Sequence, residues 1–189
     1  MKNFIQISIY FIISLSTISV CAQKNGNRNG QFLQELANNK KLKIKNIDAN
    51  ILKWTNDDIY GINEEIFSIS GIMTNDSLKK YFTNEDLKYI DKQFKSIVAS
   101  SWTNIKIKNV EFIDSLKIDK VFKNSLKKNR GANNYFYSFS NPLFSIDNKL
   151  VLIKQEYNCG FMCSTQCFYI YRKTGKTWKE VISWNCWST

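Results

Sequence analysis

The chain of 189 residues contains no histidine. That absence removes the Ser-His-Asp and Cys-His catalytic arrangements and every histidine-bearing zinc site. Arginine is scarce too, with only Arg28, Arg130 and Arg172. A basic protein is thus almost without the guanidinium fork that grips phosphate and carboxylate in bidentate fashion. No glycine-rich phosphate loop and no acidic motif with metal-ligand spacing occurs. Beyond the N-terminus, no apolar run approaches the roughly 20 residues of a membrane-spanning helix. No internal repeat and no second domain can be read.

What is present begins with Met1-Lys2-Asn3, a largely apolar run from Phe4 to Val20, and Cys21-Ala22-Gln23. One lysine, a hydrophobic stretch and small residues before a polar segment form a secretory signal, with cleavage expected after Ala22. The rivals are an uncleaved anchor and a lipoprotein cut before Cys21, although Val20 is bulkier than the Gly, Ala or Ser usual before a lipidated cysteine. Cleavage leaves 167 residues, read as a flexible leader at 23–30 and one domain at 31–189. The mature chain carries 26 basic and 16 acidic residues, a net charge of +10. Such charge favours anionic partners. The excess is nearly all lysine, amid much asparagine and isoleucine, which is the coding bias of an AT-rich genome. The arginine poverty argues against nucleic acid. An anionic glycan, an envelope surface or a protein stand as candidate partners, and no cofactor or metal is implied.

Hydrophobic periodicity predicts a short helix at 31–38 and an edge strand at 41–45, with lysines facing water. Residues 51–73 are ambiguous. Thr83 predicts the start of a helix running to about 100, with Asp86 in a capping-box position and Phe82 and Leu87 as a hydrophobic staple. Leu87, Ile90, Phe94, Ile97 and Val98 form its apolar stripe. A strand is expected at 105–113, slipping near Asn109, and a second helix at 119–128. Strands at 135–140, 149–158, 167–172 and 177–185 then make an antiparallel meander, its last hairpin turning at Lys173-Thr174-Gly175-Lys176. The expected fold class is α+β, with N-terminal helices packed on a C-terminal antiparallel sheet of four or more strands, stapled by disulfides.

Three groups of residues are of a chemical type that functions. Tyr157, Tyr169, Tyr171, Trp178 and Trp184 fall on or near one sheet face, where such rings stack on sugars or on a partner; they equally suit one wall of a core. Carboxylates are the remaining catalytic machinery, but alternation sends Glu156 and Glu180 to opposite faces. Asp57-Asp58 and Glu64-Glu65 read as solvated loop charges. The third group is Cys159, Cys163, Cys167 and Cys186. An even count in an exported domain reads as two disulfides, and the spacing lacks the C-x2-C knuckles of zinc sites and redox pairs. Centring the last turn on Thr174-Gly175 sets Cys186 beside residue 163 and Cys167 opposite Ile182. The four-residue offset is roughly 13 Å, against the roughly 4.4–6.8 Å a disulfide allows between α-carbons. Register therefore favours Cys159–Cys167 with Cys163–Cys186, provided no bulge near Ser183 or Trp184 shifts the last strand.

Ser140-Asn141-Pro142-Leu143-Phe144-Ser145, the stretch from Glu156-Tyr157-Asn158-Cys159-Gly160 to Cys163, and Lys173-Thr174-Gly175-Lys176-Thr177-Trp178 resemble a group of uncharacterised secreted proteins of flavobacteria and their relatives. Phe82-Thr83-Asn84-Glu85-Asp86-Leu87 is similar to the same group, so the resemblance covers about residues 82–184. Ser164 stands where the group has glycine, and Cys167 and Cys186 form an extra pair. The resemblance implies export, a β-rich C-terminus and a Cys159–Cys163 bridge, which would leave Cys167 for Cys186. It implies no activity. The functional expectation is an exported or periplasmic cell-envelope protein, a non-catalytic binding or interaction domain; the alternative is a glycan-acting hydrolase using a carboxylate pair. Export is checked by N-terminal sequencing of the secreted product, which should begin at Gln23; an acylated Cys21 would establish the lipoprotein instead.

Overall fold

The computed structural model describes residues 28–39, 41–55, 58, 78–98, 101–126, 135–160 and 163–189. The predicted signal and most of the leader, most of the ambiguous 51–73 segment, and the end of the predicted second helix lie outside them. Three helices appear among the described residues: α1 (residues 28–37), α2 (Asn84–Lys95) and α3 (Ser115–Leu126). Seven strands form one sheet: β1 (Asn46–Asp48), β2 (Glu111–Ile113), β3 (Phe136–Phe139), β4 (Leu143–Phe144), β5 (Leu150–Gly160), β6 (Cys163–Thr174) and β7 (Thr177–Ser188).

The strand order is β2-β1-β3-β5-β6-β7, with β4 pairing β5. The long strands β5, β6 and β7 form the expected antiparallel meander. The fold is α+β, but two finer expectations are corrected. The helices alternate with the early strands instead of preceding the sheet, and the sheet is mixed, because β1 runs parallel to both β2 and β3. Parallel neighbours need crossover connections, and α2 and α3 lie within them. Strands of three residues carry too few side chains to show a period of two, so nothing local announces them.

The expected edge strand at 41–45 is also corrected. Those residues are turn and coil, Lys43 takes φ 50°, and the chain becomes a strand only at Asn46, between two neighbours. The predicted strand at 105–113 contracts to Glu111–Ile113, since Asn109 at φ 63° breaks the extension where the alternation slips. Helix α2 starts as its sequence says. The Thr83 hydroxyl accepts from the Asp86 amide at 3.1 Å, while the Asp86 carboxylate accepts from the Thr83 amide at 3.1 Å. Phe82 and Leu87 are both buried.

Both faces of the sheet are covered. Alternation sends Val151 and Ile153 of β5 into a core with Phe32, Leu33 and Leu36 of α1. It sends Leu150 and Leu152 into a second core with Leu87 and Ile90 of α2. On that second face Phe122 of α3 meets Phe136 edge-on at 5.9 Å. Hence β5 is buried without interruption from Leu150 to Gln155, the pattern of a strand with packing on both sides. Arg28 links the two layers around β4. Its guanidinium lies 4.2 Å from the Phe144 ring centroid and donates to Gln93 of α2 at 3.1 Å.

The disulfides are Cys159–Cys163 and Cys167–Cys186. The pairing expected from register, Cys159–Cys167 with Cys163–Cys186, is therefore corrected, and two features of β7 explain why. The last turn is centred on Gly175-Lys176, with Thr174 opposite Thr177, two residues in sum beyond the assumed frame. Then β7 slips twice: Tyr171 faces Glu180 but Ile170 faces Ile182, and Phe168 faces Trp184 but Gln166 faces Trp187. The second slip contains Asn185 at φ 47° and brings Cys186 beside Cys167, at 4.2 Å between α-carbons. Non-reducing peptide mapping should return a fragment joining Cys167 to Cys186; one joining Cys163 to Cys186 would overturn this register.

Candidate functional site

The five aromatic residues singled out in the sequence divide between the two cores. Tyr171 and Trp178 are 2% and 3% exposed beneath α1, their rings 6.1 Å and 5.1 Å from Phe32. The Trp178 indole donates to Glu35 at 2.8 Å, and the Tyr171 hydroxyl donates to Gln155 at 3.1 Å. Tyr157 and Tyr169 pack half-buried beside them, Tyr157 at 5.1 Å from Tyr137 and Tyr169 stacked on Tyr171 at 5.7 Å. Burial pushes the Tyr169 and Tyr171 phenols up, and pushes Tyr137 up to about 12. Trp184 lies on the other face, stacked on Phe168 at 5.7 Å. The slip between Tyr171 and Ile170 reverses which face the residues of β7 present, and this separates Trp184 from Trp178.

Polar groups concentrate on the second face instead. Register aligns Asp48 of β1, Ser138 of β3, Glu156 of β5, Gln166 of β6 and Trp187 of β7 in one row across the sheet. The Ser138 hydroxyl donates to Asp48 at 3.5 Å, and the Ser164 hydroxyl donates to Glu156 at 2.8 Å. Asp48 also accepts from the Asn50 amide at 2.8 Å. Trp187 closes the row as one of the few large apolar side chains left exposed. Glu180 sits opposite Tyr171 on the first face, so Glu156 and Glu180 do not converge. Among the described residues, no three Cys, Asp or Glu side chains gather to hold a metal ion. Asp57, Glu64 and Glu65 lie outside the described residues.

One step along β5 from that row stands Lys154, buried at mid-strand. Its ammonium pairs with Asp58 at 2.6 Å, and the Trp54 and Phe168 ring centroids each lie 5.9 Å away. Neither Lys154 nor Asp48 was singled out in the sequence as a site residue, and Asp58, read there as a solvated loop charge, is instead largely buried in this pair. A signal for Lys154 existed, since it ends the apolar run Leu150-Val151-Leu152-Ile153 where the strand remains covered. A buried charge stands out where a buried leucine would not.

The described residues line two surface concavities of note. A small one of about 220 Å³ lies between α1 and the β6–β7 hairpin, with Arg28 and Glu35 on its walls. Its polar groups serve to fasten α1: Glu35 accepts from Trp178, Lys173 and Gln31. The larger, an open groove of about 740 Å³, runs between the β2 edge and α3 and is lined by Lys45, Lys117 and Lys120.

No protein-family model, no curated protein and no solved structure matches this chain.

The Lys154–Asp58 pair makes a stability prediction. Removing the ammonium with Lys154→Ala leaves a carboxylate among aromatic rings, and should cost about 3 kcal/mol in chemical denaturation. Lys154→Met combined with Asp58→Leu should recover most of it; a loss under about 1 kcal/mol for Lys154→Ala would mean the pair is solvated.

Proposed function

We propose that this chain is an exported, non-catalytic binding or interaction domain of the cell envelope. The observation carrying that reading is the use of its functional side chains. Tyr171, Trp178 and Trp184 are spent on packing, and Glu35, Asp48 and Glu156 are each held by internal donors. A general acid or nucleophile must instead present its carboxyl group to a substrate. Two disulfides fit an oxidising compartment, and no described helix is long and apolar enough to cross a membrane. The resemblance to secreted flavobacterial proteins supports the export part of this reading.

A glycan-acting hydrolase is the second reading, favoured by one arrangement. Asp48 and Glu156 share a face two strands apart, roughly 10 Å by strand spacing, with Ser138 between them. Inverting glycosidases hold carboxyl groups roughly 6.5–9.5 Å apart to admit a water. The two readings separate when the protein is incubated with isolated envelope polysaccharides. The binding domain should be retained on a polymer without releasing new reducing ends. Release that vanishes in both Asp48→Asn and Glu156→Gln would replace it with the hydrolase.

A further inference from the structure

We infer that the groove between the β2 edge and α3 binds a chain of acidic polysaccharide, with Lys45 and Lys120 as its principal cation contacts. The inference rests on the binding-domain reading and names its ligand class. The uneven charge of the chain is spread through the sequence, and lysine excess alone predicts only weak, salt-sensitive attraction. The fold brings part of that excess together. Lys45 enters from the coil before β1, while Lys117 and Lys120 enter from α3, against Glu111 as the single lining carboxylate among the described residues. Glu111 is committed to Lys117. Exposed Lys43 and Lys108 flank the segments that supply Lys45 and Asn109 to the lining.

The chemistry of the lining selects among anions. Asn109 offers an amide that both donates to and accepts from hydroxyl groups, the Asn46 amide is held by its 3.0 Å bond to the Tyr135 carbonyl, and Val110, Ile113 and Val121 give an apolar floor for ring carbons. Among the described residues, no aromatic ring lines the groove to stack a base, and neither Arg28 nor Arg172 lines it to fork a phosphate. A concave trough of about 740 Å³ suits an extended polymer better than a flat bilayer surface. Lysine ammoniums, as point charges, suit carboxylates or sulfates spaced along such a chain.

Binding of polygalacturonate and of heparin to the full mature protein, at 150 mM salt, tests the assignment. Lys45→Gln with Lys120→Gln should weaken binding of the preferred polymer about tenfold. Lys88→Gln with Lys92→Gln removes the same charge from the exposed side of α2 and should change it less than about threefold, since screening confines surface charge effects to about 8 Å. Unchanged thermal unfolding certifies both variants; Lys120→Gln alone keeps the comparison should the double variant unfold. Equal losses in the two pairs would overturn the groove in favour of bulk charge. Tighter binding to phosphatidylglycerol vesicles or single-stranded DNA would overturn it in favour of another anion, and no binding at 150 mM salt would overturn it outright. Reducing-end release in the same samples reports separately on the non-catalytic reading.

Discussion

Strand β5 is covered on both faces, and most of the molecule follows from that constraint. A strand between two packed layers cannot spare an unpaired backbone group or an idle apolar side chain. Its odd positions, Val151 and Ile153, require α1; its even positions, Leu150 and Leu152, require α2. Polar side chains caught in the same run must find partners where they stand. Gln155 takes the Tyr171 hydroxyl, and Lys154 takes Asp58. Each would be costly to leave unpaired. The polar row crosses β5 at Glu156, where the strand is half-exposed between the buried run ending at Gln155 and the buried Asn158.

The edge strand β7 shows how one extra residue redistributes chemistry. Its first slip moves Trp184 from the face of Trp178 to the face of Phe168, and its second aligns Cys186 with Cys167. Both slips lie on an edge, where bulges disturb pairing least and discourage another strand from adding on. Beyond the disulfide the strand still closes, with the Thr189 amide donating to Ser164 at 2.9 Å.

Elements whose signals are local were legible in the sequence: the capping box of α2, the three long strands, the α1 stripe. The disulfide pairing was not, because register sums are blind to bulges, and a two-residue error in the turn compounds them. The resemblance implied the pairing that the structure holds. The parallel β1–β2–β3 group was hidden too, since its pairings join residues far apart in the chain through strands of three or four residues. For the site, the sequence named the aromatic residues but not their division between two cores. It named Glu156 but not its row partners Asp48 and Ser138, which come from strands whose neighbours only tertiary structure determines.

The central claim is that the tyrosine face of the sheet is core. Spectrophotometric titration of the phenols tests it directly. Ordinary tyrosines ionise near about 10. In the folded protein Tyr137 should ionise only at about 12, with Tyr169 and Tyr171 also delayed by burial, and denaturant should return all of them to the ordinary value. Because the folded pKa is raised, the stability these phenols contribute is present in full below pH ~10 and is lost as pH rises through their folded values, so a late, cooperative step coinciding with alkaline unfolding is expected. A folded protein whose tyrosines all ionise together near about 10 would contradict the two-sided burial on which this account rests.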